Sequence, residues 1–233
     1  MDNFFRRLKM YGIGFGIGLI CVFLFFRNRG CNWLPENRVK SSFIERVIVV
    51  HEDEMPAYKA LALNENQLND LIQNSDISFS ESKKKGEPKA YQLTGALPNG
   101  KPIRFILTLP DRSVISEMKI NAKATEKVKN SITGKGYPIL FPNNKELFDL
   151  GTDKNILTKL NSVGIMKSVQ LLKISKEIGY IDYSKSTFDS EKSSHCWVIE
   201  KPSAAFSMQT TWYKEKITLK SVELANSEEI PSN

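Results

Sequence analysis

The spacing of apolar positions changes several times along this chain, and each change marks a different element. From Met10 to Phe26 there is no charged residue, and glycine falls at Gly12, Gly14, Gly16 and Gly18 before the run closes in "LICVFLFF". Alternate glycines imitate a strand period, yet an unpartnered strand of this composition is an aggregation hazard. The uncharged run of about 17 residues approaches the length of a helix that crosses a bilayer, and Lys9 and Arg27 can snorkel outward from its ends. The run ends in Phe25, Phe26 and Arg27, which offer no small-residue cleavage site. Basic residues separate Cys31 from the run, unlike a lipobox. The expectation is an uncleaved transmembrane helix over 10–26, behind a basic arm (1–9) and ahead of a juxtamembrane segment (27–42). In a helix, Gly12 pairs with Gly16 and Gly14 with Gly18, a spacing that lets helices approach closely in lipid.

Beyond the run the pattern alternates between strand and helix periods. "FIERVIVV" (43–50) reads as a buried strand, and "NENQLNDLIQNS" as a helix with Leu68, Leu71 and Ile72 on one face. "ISFSES" is a short strand. "AYQLTGALPNGKPIRFILTL" is a hairpin with Asn99-Gly100 at its tip, a pairing that favours a type I′ turn. Ile103, Phe105, Leu107 and Leu109 alternate along its second arm, and "VISEMKI" closes a first module over 43–120. The polar stretch 121–135 reads as a linker. A second module (136–224) opens with the strand "YPILFP". Short helices in "NKELFDLG" and "DKNILTKLNSVG" stop at Gly151 and Gly164, and a longer helix follows in "IMKSVQLLKISKEIGY", with Leu171, Ile174 and Ile178 as its stripe. Four strand-like pieces complete it, and the tail 225–233 reads as disordered. Shifted by 104 positions, "ISFSES" lies over "IDYSKS", an internal repeat of one α+β module. The fold class predicted is therefore α+β, a transmembrane helix followed by two related modules of one or two helices and a small antiparallel sheet.

Charge sharpens this organisation. The net charge is +7, but residues 1–40 carry +5 of it and the remaining 193 residues only +2. A near-neutral domain lacks the footprint of a phosphate-backbone binder, so nucleic acid is not an expected partner. The cations beside the apolar run suit anionic headgroups instead. The two flanks of the run nearly tie in charge; because a long domain translocates largely regardless of its charge, the reading places the amino terminus inside and the modules outside.

Candidate chemistry is sparse. The cysteines are Cys21, Cys31 and Cys196 and the histidines His51 and His195, which make neither a disulfide framework nor a zinc spacing. His195-Cys196 suggests a dyad, but neighbours on a strand point to opposite faces. Cys196 reads as core filler beside Trp197. Asp182 and Asp189, and Glu52, Asp53 and Glu54, read as solvated charges. Tyr183, Trp197, Phe206 and Trp212 read as core. No catalytic residue, metal site or cofactor is expected.

The amino-terminal third resembles a family of small bacterial membrane-anchored proteins of unknown function. "YGIGFGIGL", "GCNWLPENRV" and "ISFSES…AYQLTG…IRFILTL…VISEMKI" carry the likeness over roughly residues 5–120. Their soluble part is similar to a broader domain with the fold of RelE-type and barnase-type ribonucleases. That likeness implies a histidine matched by His51 and a following cation matched by Lys59. The residues between them, "EDEMPAYKA", begin acidic, which does not supply the set that RNA cleavage needs. The expected function is thus a non-catalytic binding module of the bacterial cell envelope, anchored in the inner membrane. Its expected partners are the lipid bilayer, an envelope protein and a second copy paired through the span. The alternative is a toxin-like ribonuclease facing the cytoplasm.

Overall fold

The structure is a computed structural model, and residues 2–27, 34–120, 122, 125–188, 193–201 and 205–225 are described. The expected tail and Cys31 lie, wholly or almost so, outside them. The chain divides into two compact units, Met1–Val39 and Lys40–Asn233.

In the first unit, helix α1 (Asp2–Arg27) takes up the glycine run. Its described large apolar side chains, among them Met10, Phe15, Ile17 and Val22, are all more than half exposed. Among the described residues no helix is long and apolar enough to cross a membrane. This overturns the transmembrane helix expected over 10–26, and with it the single-pass architecture. The described side chains of α1 span Arg6 to Phe23 and include Arg6, Arg7 and Lys9, whereas a crossing helix wants about 20 predominantly apolar residues.

The second unit is dominated by strands. The boundary between the units falls within α2 (Pro35–Ile44), a helix in the segment read as juxtamembrane; it ends on buried Phe43. Then come β1 (Val47–His51), a 3-10 turn (Glu52–Glu54), α3 (Met55–Ala60) and α4 (Glu65–Asn74). Four strands follow: β2 (Asp76–Lys83), β3 (Lys89–Ala96), β4 (Pro102–Leu109) and β5 (Ile115–Lys119). After them come β6 (Lys135–Leu140), the two-residue β7 (Phe148–Asp149), α5 (Lys154–Ser162) and α6 (Ser168–Ile178). The last four strands are β8 (Gly179–Thr187), β9 (Ser194–Ile199), β10 (Phe206–Tyr213) and β11 (Lys216–Leu224).

All of these strands belong to one mixed sheet of eleven, in the order β2-β3-β4-β5-β1-β6-β8-β9-β10-β11-β7. The two separate antiparallel sheets of the sequence reading are thereby corrected. The joint is β6, antiparallel to β1 on one side and to β8 on the other. Nor are the halves purely antiparallel, since β1 runs parallel to β5 and β7 parallel to β11. The strand order β2-β3-β4-β5-β1 recurs as β8-β9-β10-β11-β7, and an offset of 104 carries β4 onto β10 end to end.

Local chemistry explains the elements. The Asn64 side chain accepts from Gln67 N at 2.9 Å while Gln67 Oε1 accepts from Asn64 N at 3.1 Å, a capping box that starts α4. That helix buries Leu68, Leu71 and Ile72 and packs on β3 and β6. "NKELFDLG" does not form a helix. Glu146 N donates to Asn144 Oδ1 and Leu147 N to Asn144 O, bending the chain so that Leu147 and Phe148 are both buried beside β11. At the β3–β4 tip, Gly100 N donates to Leu97 O, which makes Pro98 and Asn99 the central pair, with Gly100 at φ +78°. This is a type I turn with a bulge glycine rather than type I′, because the fixed φ of Pro98 suits the first central position.

The main core gathers Val47 and Val49 of β1, Ile181 and Tyr183 of β8, Trp197 and Ile199 of β9, and Leu160 and Leu171 of α5 and α6. In α6 the buried positions are Leu171 and Ser175, while Ile178 is 39% exposed. Residues 105–109 of β4 are all buried, not alternately so. Val128, in the stretch read as a linker, lies against Ala90 and Ile106 and covers their face of the sheet. The sheet also curls. Ser113, just before β5, meets His195 of β9, and Arg46, just before β1, meets Trp212 of β10, each pair joining strands four places apart in the sheet.

Candidate functional site

A groove of about 570 Å³ lies between α4, α6 and the segment after β6. Three of its residues, Asn66, Asn69 and Gln73, stand at helical spacing i, i+3 and i+7, so α4 presents them as one stripe. The apolar stripe of the same helix faces the sheet, which fixes the carboxamides outward. Opposite them are Asn143 and Asn144, carried by the bend that Asn144 Oδ1 itself organises. Pro142, Phe141 and Leu172 supply apolar wall.

At one end Lys176 of α6 reaches Glu65 of α4 at 3.2 Å, an ion pair that ties the helices of the two halves together. The Lys176 ammonium also lies 5.3 Å from the centroid of the Phe141 ring. Among the described residues, the side chains of Asn66, Asn69, Gln73 and Asn143 make no hydrogen bond to another part of the chain. Each carboxamide both donates and accepts. The groove therefore offers paired donors and acceptors to a hydrogen-bonding ligand, with apolar surface for its carbon face, and exposed Lys145 adds a cation to the lining.

His51 and Lys59 are placed otherwise than a nuclease requires. His51 closes β1; its Nε2 donates to Thr133 O at 2.9 Å, and its Nδ1 accepts from Asp53 N at 3.3 Å, with Asp53 Oδ2 3.2 Å away. Both ring nitrogens are thus engaged. Gly134, at φ +85°, lets the loop come this close, since a Cβ there would fall 2.6 Å from Nε2. Lys59 is exposed near the end of α3 and, among the described residues, is not bonded to His51. Of the acidic run, Glu54 accepts from Ile120 N at 2.9 Å, a backbone tie rather than half of a carboxylate pair. Asp182 accepts from Ser184 N and faces Lys185 at 3.8 Å. Asp189 lies outside the described residues.

His195 and Cys196 diverge across β9. His195 is fully buried, with Nε2 2.9 Å from Ser113 Oγ, and burial pushes its pKa down to about 3. The Cys196 thiol is buried on the other face, and burial raises its pKa, which makes it a poor nucleophile. Tyr183, Trp197 and Phe206 are core residues, with Trp197 packed against Phe141 and Phe148; half-buried Trp212 borders a cavity. For Gly12, Gly14, Gly16 and Gly18, an added Cβ meets nothing within 4 Å, so their surface on α1 is open. Among the described residues no three His, Cys, Asp or Glu stand together as a metal site.

The sequence reading missed the carboxamide stripe, although its spacing is legible in "ENQLNDLIQN". A polar face on an amphipathic helix ordinarily means solvent, and only the fold shows what stands opposite it. Comparison with known proteins finds no matching family model, no matching curated protein and no matching solved structure.

Proposed function

We propose that this chain is a non-catalytic binding protein of the bacterial cell envelope, and that its ligand lies in the groove between α4 and α6. The observation that carries this reading is the set of five carboxamides around one cavity, four of them without a hydrogen bond elsewhere in the described chain. A cleft of several hundred Å³ with convergent polar groups is the ordinary form of a small-ligand site. The ligand is rich in hydrogen-bonding groups; Glu65 and Lys176 neutralise each other at the groove, and exposed Lys145 leaves its lining with one cation in excess. Helix α1 supports the envelope assignment: its apolar surface needs cover, and its cations favour a lipid surface with anionic headgroups. The ribonuclease alternative is disfavoured by the engagement of both His51 nitrogens.

Thermal unfolding of the full chain against a panel of neutral oligosaccharides and short capped peptides tests the reading. A stabilising compound whose effect disappears in an Asn69→Leu/Gln73→Leu variant supports it. A panel without effect, or an effect unchanged in that variant, removes the groove as the site.

A further inference from the structure

Among the described residues, three charged side chains line the groove between α4 and α6: Glu65, Lys176 and Lys145. The first two satisfy each other at 3.2 Å. Lys145, on the bend after β6, is exposed and makes no ion pair or hydrogen bond with the described chain. Its neighbour Glu146 is taken by Lys216, at 3.5 Å. A ligand that fills the groove therefore meets one unbalanced positive charge beside a row of carboxamides.

The rest of the lining narrows the kind of anion. Asn66 and Gln73 stand seven residues apart on α4, about 10.5 Å along a helix. Three residues of extended peptide, at about 3.3 Å each, span nearly the same length. A carboxamide carries one acceptor oxygen and N–H donors, the complement of the N–H and C=O of a peptide bond. A saccharide instead stacks its carbon face on an open aromatic ring. The ring in this lining, Phe141, is only 7% exposed, and the Lys176 ammonium lies 5.3 Å from its centroid. Ile44, Leu140, Pro142 and Leu172 make the remaining apolar wall aliphatic. Val169, three residues before Leu172 on the same face of α6, is 51% exposed and carries that wall beyond the groove. Aliphatic surface beside carboxamides suits the side chains and amides of a polypeptide.

We propose, on the reading that this groove is the ligand site, that its ligand is the free carboxyl terminus of a polypeptide partner. The carboxamides of α4 and of the bend hold its last peptide bonds, and the aliphatic wall takes its last side chains. Lys145 faces the terminal carboxylate.

The test incubates the full chain with two pools of acetylated tetrapeptides of uncharged sequence, one made as free acids and the other as amides. Oligogalacturonate, acidic but not peptidic, is the third probe. Material retained on ultrafiltration is measured by mass spectrometry. The free acids are expected to be retained, enriched in aliphatic last residues. The amides are retained about three- to fivefold less, as one exposed charge contact allows. In Lys145→Gln, an exposed change, that preference disappears while retention of the amides is unchanged. In Asn69→Leu/Gln73→Leu both pools are lost. Equal retention of the two pools, lost in Asn69→Leu/Gln73→Leu, overturns the carboxyl-terminus assignment and leaves the groove as the site. Retention of both pools unchanged in Asn69→Leu/Gln73→Leu overturns the assignment and the groove together. A preference for acids that survives Lys145→Gln overturns the assignment, as does retention of oligogalacturonate alone or of no probe at all.

Discussion

His195 and Ser113, in opposite halves of the chain, meet at 2.9 Å in the interior. Ser113 Oγ already accepts from Ile115 N at 2.9 Å, and the Nδ1 of His195 is enclosed with no partner. If Ser113 donated to Nε2, an N–H would be stranded at Nδ1; if Nε2–H donates to Ser113 Oγ, only a lone pair is stranded there. The neutral Nε2–H tautomer is therefore the one this pocket accepts, and the imidazolium, with two N–H groups, is excluded.

That exclusion makes stability depend on pH. Burial depresses the folded-state pKa of His195 to about 3, against the ordinary histidine value of 6.5. Above 6.5 neither state binds the proton; below it the unfolded chain does and the folded chain does not. Stability is thus lost as pH falls from the unfolded value toward the folded one, by about 1.4 kcal/mol per unit from this residue. Denaturant unfolding at several pH values checks this. In His195→Gln the slope over that window is shallower by about that amount.

Gly136 and Tyr183 are matched in shape. A Cβ at Gly136 would stand 2.6 Å from the Tyr183 ring, and the Tyr183 hydroxyl is enclosed without a partner. Gly136→Ala therefore costs about 1–3 kcal/mol through overpacking. Tyr183→Phe leaves stability unchanged or raises it, because it removes an unsatisfied polar group and keeps the ring. Equilibrium unfolding of both variants tests the pair. A strongly destabilised Tyr183→Phe would mean that the hydroxyl has a partner.

The β10–β11 hairpin turns on two residues in left-handed conformation, Lys214 at φ +49° and Glu215 at φ +61°. With Tyr213 facing Lys216 across the ladder, this is a two-residue type I′ loop. Side chains with a Cβ are strained there, where Asn-Gly is at ease. Lys214→Asn combined with Glu215→Gly raises stability by about 1 kcal/mol, read from the unfolding midpoint at constant m-value.

Helix α1 carries the proposed lipid contact. The full chain is expected to float with vesicles containing anionic phospholipid, and a chain lacking residues 1–30 to remain unbound. Binding weakened by charge reversal at Arg6, Arg7 and Lys9 ties it to the cations. Equal recovery of both chains would leave the apolar helix without this role.

Much of the sheet was legible in the sequence, because strand pattern is a local property. Leu68, Leu71 and Ile72 mark the buried face of α4 on spacing alone. The joining of the halves was not legible. A strand holding Gly136 and Pro138 reads as an edge, yet β6 is central. Its pairs with β8 are confined to Lys135 and Gly136, and Pro138 faces Val49 at a break in the β1 register. The groove was hidden for the same reason: Asn69 and Asn143 become neighbours only through the fold. Likewise, nothing near Arg46 in sequence announces Trp212.

The parallel pairing of β1 with β5 sets the order in which this protein can be made. "VIVV" leaves the ribosome early, but Val47 pairs with Ile115 and Ile48 with Leu140. At roughly 5–20 residues per second, about 70 residues of synthesis separate β1 from its first neighbour, a wait of several seconds to over ten. Four β-branched residues without a charge are the composition that associates with other chains when left unpaired. The strand that ends at the centre of the sheet is thus among those that wait longest during synthesis, and crowded translation or chaperone depletion endangers this chain there first.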